Sequence, residues 1–103
     1  MKVFLSEQAQ IKLLQLNDYL LDKWNVKVRD NFIFALSEKI SQISTHPKSC
    51  IQSNVFNGIY KCVVTKQITF YYRILSDTNE IEIITLFDSR QNSKKLNKQL
   101  KRK

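Results

Sequence analysis

The sequence predicts an α+β domain in which a helical hairpin packs on a small antiparallel sheet. The expected element order is β-α-α-β-β-β, followed by a basic C-terminal tail or short helix. Apolar residues recur at helical spacing through residues 9–43, whereas β-branched and aromatic residues dominate residues 59–87. The 103 residues include one glycine and one proline. Linkers are therefore few, and residues 1–103 are expected to form a single domain.

A short strand and two amphipathic helices account for the first half of the chain. Residues 3–5 are apolar, and Ser6 follows them as a helix N-cap with Glu7 in the first turn. Apolar side chains then fall on one face of each helix, while Lys12 lies off the first stripe and is expected to face water. The stripe residues are Leu13, Leu16, Leu20 and Trp24, then Val28, Phe32, Leu36, Ile40 and Ile43. Pro47 ends the second helix, because proline disfavours helical geometry at the residue before it.

The second half of the chain predicts three strands. Residues 59–64 and 68–75 are separated by a three-residue turn and form a hairpin, and residues 77–79 make a second turn before a last strand over residues 81–87. Side chains alternate faces along a strand. One face of the middle strand is expected to carry Ile68, Phe70, Tyr72 and Ile74, and the other face Thr69, Tyr71, Arg73 and Leu75.

The positive charge is concentrated in two segments. The net charge is +8, and residues 47–73 carry four Lys/Arg and no acid, while residues 89–103 carry seven and no acid. Residues 74–88, between these segments, carry four acids and no base. Such a distribution indicates a nucleic acid, a phosphate-rich assembly or an acidic protein as partner, and the alternative is a tail that serves only solubility.

Several chemical classes find no support in the residues. Cys50 and Cys62 make no disulfide framework, and with His46 they fall short of a four-ligand zinc site. Reduced cytosolic thiols, with no metal and no cofactor, are therefore expected. Glu80 and Glu82 alternate with isoleucines and are expected on a solvated strand face rather than as an acid–base pair. No apolar run is long enough for a membrane span or a signal peptide, so a cytoplasmic protein without membrane contact is expected.

A set of basic residues is the better candidate for function. Lys61, Lys66, Arg73 and Arg90 come from three neighbouring strands or their turns, so a sheet can gather them on one surface. Ammonium and guanidinium groups bind phosphates and can stabilise a phosphoryl-transfer transition state without a metal. Tyr71, with Tyr60 and Tyr72, can stack on bases, although Tyr60 and Tyr72 are more readily explained as core residues.

The order of these elements resembles the RelE/ParE superfamily of bacterial toxins from type II toxin–antitoxin systems, over nearly the whole chain. The resemblance lies in Ser6-x-x-Ala9 of the first helix, in GIYK at residues 58–61 and FYYRI at residues 70–74, and in IITLFDSRQ at residues 83–91 followed by KKL. It implies a growth-inhibiting toxin that a cognate antitoxin neutralises through an acidic, amphipathic segment. RelE-like members cut mRNA in the ribosomal A site, whereas ParE-like members inhibit DNA gyrase.

The resemblance assigns site residues only in part. Lys61 and Arg90 match positions that the nucleases of the superfamily use, and they are the expected catalytic residues if this chain cleaves mRNA. Val63, Thr69 and Leu96 stand where those nucleases carry basic or acid–base residues. The departures favour a ParE-like toxin with gyrase or another protein as target. The alternatives are a RelE-like, metal-independent mRNA endoribonuclease and a degenerate toxin that only binds its antitoxin. The expected target- or phosphate-binding residues are Lys66, Tyr71, Arg73, Lys94 and Lys95.

Overall fold

Two helices pack on one face of a five-stranded sheet in the computed structural model, which describes residues 1–89 and Leu100. The helices are α1 (Glu7–Lys23) and α2 (Val26–Thr45). The strands are β1 (Lys2–Leu5), β2 (Ile51–Gln52), β3 (Tyr60–Val63), β4 (Ile68–Leu75) and β5 (Glu80–Asp88). The predicted helical hairpin, hairpin of strands and closing strand are all confirmed.

Side-chain caps define where both helices begin. The Ser6 hydroxyl accepts a hydrogen bond from the Ala9 amide at 3.0 Å and donates one to the Ile84 carbonyl at 2.7 Å. Asn25 caps α2 in the same way, accepting from the Val28 amide at 2.9 Å. Each cap satisfies an amide that has no partner within the first helical turn. Ser6 also connects α1 to the sheet, whereas the hydrogen bond that Asn25 accepts lies within α2.

The sheet is mixed, whereas the sequence predicts an antiparallel sheet. Its strand order is β1-β5-β4-β3-β2, and β1 lies parallel to β5 while the other neighbours are antiparallel. The two helices between β1 and the later strands supply the long connection that parallel pairing requires. The edge strand β2 was not predicted, because two residues are too short to show a periodic pattern.

The main core lies between the helices and the inner face of the sheet. Its buried residues come from both helices and from β3, β4 and β5. Tyr72 is fully buried, donates a hydrogen bond to the Pro47 carbonyl at 2.6 Å and stacks on Tyr60 at 5.2 Å between ring centroids. The predicted inner face of β4 is confirmed through Ile68, Phe70 and Tyr72. Both tyrosines therefore belong to this core rather than to a base-stacking surface.

Three predicted exposures are wrong. Lys12 is buried rather than solvated, because it lies three residues after Ala9 and four before Leu16, on the same side of α1 as both. Glu82 is buried as well, because its carboxylate lies beside Arg73 on the neighbouring strand. Trp24 is 59% exposed, since α1 ends at Lys23 and the side chain lies past the packed face.

A bulge in β5 reverses the side-chain alternation of that strand. Tyr72 pairs with Ile83 and Tyr71 with Thr85, so Ile84 is the additional residue. Ile83 packs in the inner core, while Ile84 packs with Tyr71 in a second apolar cluster on the outer face of the sheet. Alternation from Ile81 and Ile83 already places Ile84 on the outer face, and the bulge shifts the residues after it so that Leu86 returns to the inner core.

Candidate partner-binding surface

The outer face of the sheet carries its own apolar cluster. Ile59, Ile84 and Leu100 are buried there, with Phe56, Tyr71 and Phe87 packed against them. Leu100 is 2% exposed, so the C-terminal part of the chain contributes a side chain to this face. Leu96, four residues before Leu100 in the sequence, lies outside the described residues.

An apolar groove lies beside this cluster. It encloses about 330 Å³ and is lined by the segment from β2 to Phe56 together with Lys61, Val63, Tyr71 and Leu100. Val63 is 53% exposed and Val55 is 76% exposed, so the groove presents apolar side chains to solvent. Lys61 is the charged residue of this lining. We refer to this surface, residues 51–56 with Lys61, Val63, Tyr71 and Leu100, as the outer groove.

Lys61 and Tyr71 meet directly across the β3–β4 ladder. They are opposite each other in the strand register, and both point to the outer face. Burial raises the pKa of the Tyr71 phenol, so this hydroxyl stays protonated at neutral pH and can donate a hydrogen bond. The outer groove therefore combines an exposed ammonium group, a neutral phenol and an apolar wall.

Arg73 also lies on the outer face, but a carboxylate engages its guanidinium. Arg73 is paired with Glu82 across β4 and β5, and its Nε donates to the Glu82 Oε1 at 2.7 Å. The side chains are 34% and 9% exposed respectively. The ion pair compensates part of the charge that an anionic ligand would meet.

Lys66 lies at the end of the sheet, in the turn between β3 and β4. Its side chain is exposed, and the Ser89 amide donates to the Gln67 carbonyl at 2.7 Å. The end of β5 therefore lies beside this turn. Arg90, Lys94 and Lys95 follow in sequence and lie outside the described residues. The structure thus places Lys61, Tyr71 and Arg73 on one face and Lys66 at the end of that sheet.

The sequence did not reveal two apolar surfaces. Ile51 and Val55 of the outer groove were missed because the pairs Cys50-Ile51 and Val55-Phe56 are too short to show a strand or helix period. A second groove of about 360 Å³ lies between the helical hairpin and the β3–β4 turn, lined in part by Trp24, Val28 and Ile68. The available signal in the sequence was a tryptophan at the end of a helix. The apolar stripe of that helix, however, assigned Trp24 to the core.

Two findings concern other kinds of site. Within residues 1–89 and at Leu100, no group of three or more His, Cys, Asp or Glu side chains is arranged to hold a metal ion. No helix in the described part of the chain is both long and apolar enough to cross a membrane.

Known structures share this fold. A chain of the chromosomal ParDE toxin–antitoxin system from P. aeruginosa is 11% identical with a TM-score of 0.70, covering 85% of this chain and 95% of that chain. An arginine-to-alanine double mutant of the E. coli toxin RelE in its free state is 12% identical with a TM-score of 0.66, covering 98% and 94%. A chain of the intact E. coli RelBE toxin–antitoxin complex is 13% identical with a TM-score of 0.61, covering 87% and 98%.

The protein therefore has the fold of these ParDE, RelE and RelBE chains, which is the fold that the resemblance in its sequence implies. The matched structures belong to both the ParE and the RelE branches. No protein-family model matches the chain, and no curated protein sequence matches it. The similarity concerns the backbone, and a shared fold does not determine the activity, which depends on the side chains of the site.

Proposed function

We propose that this protein is the toxin of a type II toxin–antitoxin system, that it inhibits growth by binding a protein target such as DNA gyrase, and that a cognate antitoxin neutralises it. The observation that carries the proposal is the chemistry of the outer groove. Exposed apolar side chains surround Lys61, which is the pattern of a protein-binding surface rather than of a phosphate cradle.

The groove offers little for phosphoryl transfer. Stabilising a phosphorane-like transition state takes several donors or cations that converge on one phosphate. After Lys61, the next residue of β3 on the outer face is Val63. Val63 pairs with Thr69 of β4, so neither of these positions supplies a charge. Arg73 on the same face is already paired with Glu82. A protein ligand needs only apolar contact and one well-placed counter-charge, which this surface provides.

The outer groove also suits the binding of an antitoxin. An amphipathic segment can place apolar side chains against Ile51, Val55 and Val63 and a carboxylate against Lys61. The net charge of +8 favours an acidic partner by raising its rate of encounter. Lys66 at the sheet end, with Lys94 and Lys95 in the tail, would extend this attraction without specifying the contact.

Two assays test the proposal. The first measures growth of cells that express the protein without an antitoxin, and the second measures DNA supercoiling by purified gyrase in the presence of the protein. We expect growth arrest and inhibition of supercoiling, both weakened by Lys61→Glu, because the reversed charge repels an acidic ligand. Lys27→Glu is the matched control, since Lys27 is exposed on α2 and lies outside the groove. Growth arrest with unimpaired supercoiling would exclude gyrase, and unimpaired growth would support a degenerate toxin that only binds its antitoxin.

One observation favours a second candidate, a RelE-like ribosome-dependent endoribonuclease. The protonated Tyr71 phenol lies opposite the Lys61 ammonium, a pair that could donate a proton to a leaving oxygen and stabilise the phosphate. Arg90 would then supply the second cation. Primer extension on mRNA from a purified translation system tests this candidate. Cuts at codon boundaries that Tyr71→Phe abolishes would establish the nuclease and refute the protein-target proposal.

A further inference from the structure

Two thiols meet at the edge of the inner core, where β2 approaches β3. Cys62 is 2% exposed in the main core, and Cys50 is a partly buried residue packed against it. Both thiols are free, and the Cys50 side chain interacts directly with the Cys62 thiol. The two residues are twelve positions apart in sequence, so the contact is created by the fold.

The strand register places these cysteines directly opposite each other. Ile51 pairs with Lys61 in the antiparallel β2–β3 ladder, so the next pair outward is Cys50 with Cys62. The Ser53 amide donates to the Ile59 carbonyl at 2.7 Å, which identifies a hydrogen-bonded pair in the same register. Hydrogen-bonded and non-hydrogen-bonded pairs alternate along such a ladder, so Cys50 and Cys62 form a non-hydrogen-bonded pair.

A non-hydrogen-bonded pair suits a disulfide bond. Its Cα atoms lie about 4.5 Å apart and its side chains lie closer together than in the alternate pair. Disulfide bonds span Cα separations of about 4.4–6.8 Å. The connecting loop already has its turn geometry, since the Ser53 hydroxyl accepts from the Val55 and Phe56 amides and Gly58 adopts a φ of 79°. Closing the bond therefore requires little movement of the backbone.

The surroundings give the two sulfurs different roles. Burial, followed by the interaction with Cys50, raises the pKa of the Cys62 thiol to about 12, despite the opposing influence of Lys39. Cys62 is therefore almost wholly protonated at neutral pH and is a poor first nucleophile. Cys50 is the more accessible thiol and is the one that a small oxidant can reach.

We propose that Cys50 and Cys62 are a redox-sensitive pair that forms an intramolecular disulfide bond with a low-molecular-weight disulfide, such as oxidised glutathione, as oxidant. The Cys50 thiolate attacks one glutathione sulfur and releases the first glutathione thiolate. Cys62 then loses its proton to solvent and attacks the Cys50 sulfur, releasing the second thiolate. The protein loses two protons and two electrons, and the oxidant becomes two molecules of glutathione.

The disulfide fixes the segment that forms one wall of the outer groove. Edge strand β2 is held to β3 by only two described residue pairs, and residues 51–56 extend from it. A covalent bond at Cys50 closes residues 50–62 into a ring and removes conformations from the unfolded chain. For a ring of this size, the melting temperature is expected to rise by on the order of 10 °C.

The test equilibrates the full-length protein with glutathione buffers from fully reduced to fully oxidised and quenches free thiols with an alkylating agent. We expect a two-hydrogen mass loss, a Cys50–Cys62 cross-linked peptide and the higher melting temperature, all reversed by excess reduced glutathione. Cys50→Ser is expected to show none of these changes and to keep the melting temperature of the reduced protein, because its side chain is small and partly exposed.

Cys62→Ser separates the two steps of the reaction. With no resolving thiol, this variant is expected to accumulate a single glutathione adduct on Cys50. If burying a hydroxyl prevents it from folding, Cys62→Ala serves the same purpose. The proposal is overturned if the wild-type protein keeps both thiols free in fully oxidised buffer. It is equally overturned if the wild type forms only glutathione adducts or disulfides between molecules.

Discussion

Arg73 shows how a charged residue on a strand acquires a structural role from its cross-strand partner. Its guanidinium lies beside the largely buried Glu82 carboxylate at 2.7 Å. We expect Arg73→Ala to lower the free energy of unfolding by about 1–3 kcal/mol, because it removes a charged hydrogen bond to a buried acid. Denaturant unfolding measures the change, and a double-mutant cycle with Glu82→Ala should show coupling of at least about 0.5 kcal/mol.

Lys61→Ala is the matched control for that prediction. Lys61 lies on the same outer face but is exposed, so its removal is expected to change stability by no more than about 0.5 kcal/mol. Equal effects of the two substitutions would mean that the ion pair contributes nothing to stability. Arg73 would then be better explained as a residue kept for ligand binding.

The burial of two single residues, Lys12 and Glu82, was wrongly predicted from the sequence. Lys12 was assigned to solvent because it lies off the apolar stripe, and Glu82 because charged side chains are rarely buried, but both are buried here. The position of Lys12 between Ala9 and Leu16 on the helix was the better guide. For Glu82 no local signal existed, because its partner is set by the register between two strands.

The first helix begins at a residue that serves two elements. Ser6 caps α1 and also donates to the Ile84 carbonyl at the bulge in β5. We expect Ser6→Ala to lower the free energy of unfolding by about 1–2 kcal/mol, because it loses the cap and a hydrogen bond to the sheet. Asn25→Ala is the comparison, since Asn25 caps α2 alone on an exposed surface, and its cost should be about 0.5–1 kcal/mol. A larger loss for Asn25→Ala would contradict the role assigned to Ser6.

Most elements could be predicted from local patterns, and the departures have local causes. The helices, the hairpin and the closing strand each contain enough residues for their period to show. The strand β2 is too short, and the bulge at Ile84 depends on pairing with β4 rather than on any residue type. Lys61 and Tyr71 could be placed on one face by alternation, but the apolar wall of Ile51 and Val55 could not, because it arises from a two-residue edge strand and the irregular segment after it.

At the scale of the whole molecule, Leu100 connects the C-terminal part of the chain to the sheet. This residue is 2% exposed against Ile59 and Ile84 on the outer face. We expect Leu100→Ala to lower the free energy of unfolding by about 2–4 kcal/mol, the usual cost of a buried leucine. Leu14→Ala on α1 is the control, since Leu14 is 64% exposed and should cost less than about 0.5 kcal/mol. If the two variants unfold alike, the C-terminal part of the chain adds nothing to the fold in solution.

Stability at alkaline pH is a property of the whole inner core. Burial raises the pKa of Cys62 from 9.0 to about 12, and burial also raises the pKa of Tyr72 above its ordinary value of 10.0. Above pH 9 the unfolded chain releases these protons before the folded chain does. Because the unfolded chain then binds fewer protons than the folded chain, the free energy of unfolding falls as the pH rises.

Each such group lowers the free energy of unfolding by up to about 1.4 kcal/mol per pH unit between its unfolded and folded pKa values. We expect a nearly constant urea midpoint from pH 7 to 8.5 in the presence of a reductant, and a steady fall above pH 9. Cys62→Ala should make the fall shallower between pH 9 and 10, where Tyr72, with an ordinary pKa of 10.0, has only begun to titrate in the unfolded chain. A wild-type midpoint that stays constant to pH 11 would show that solvent reaches both groups in the folded protein, and that the β2–β3 edge is open.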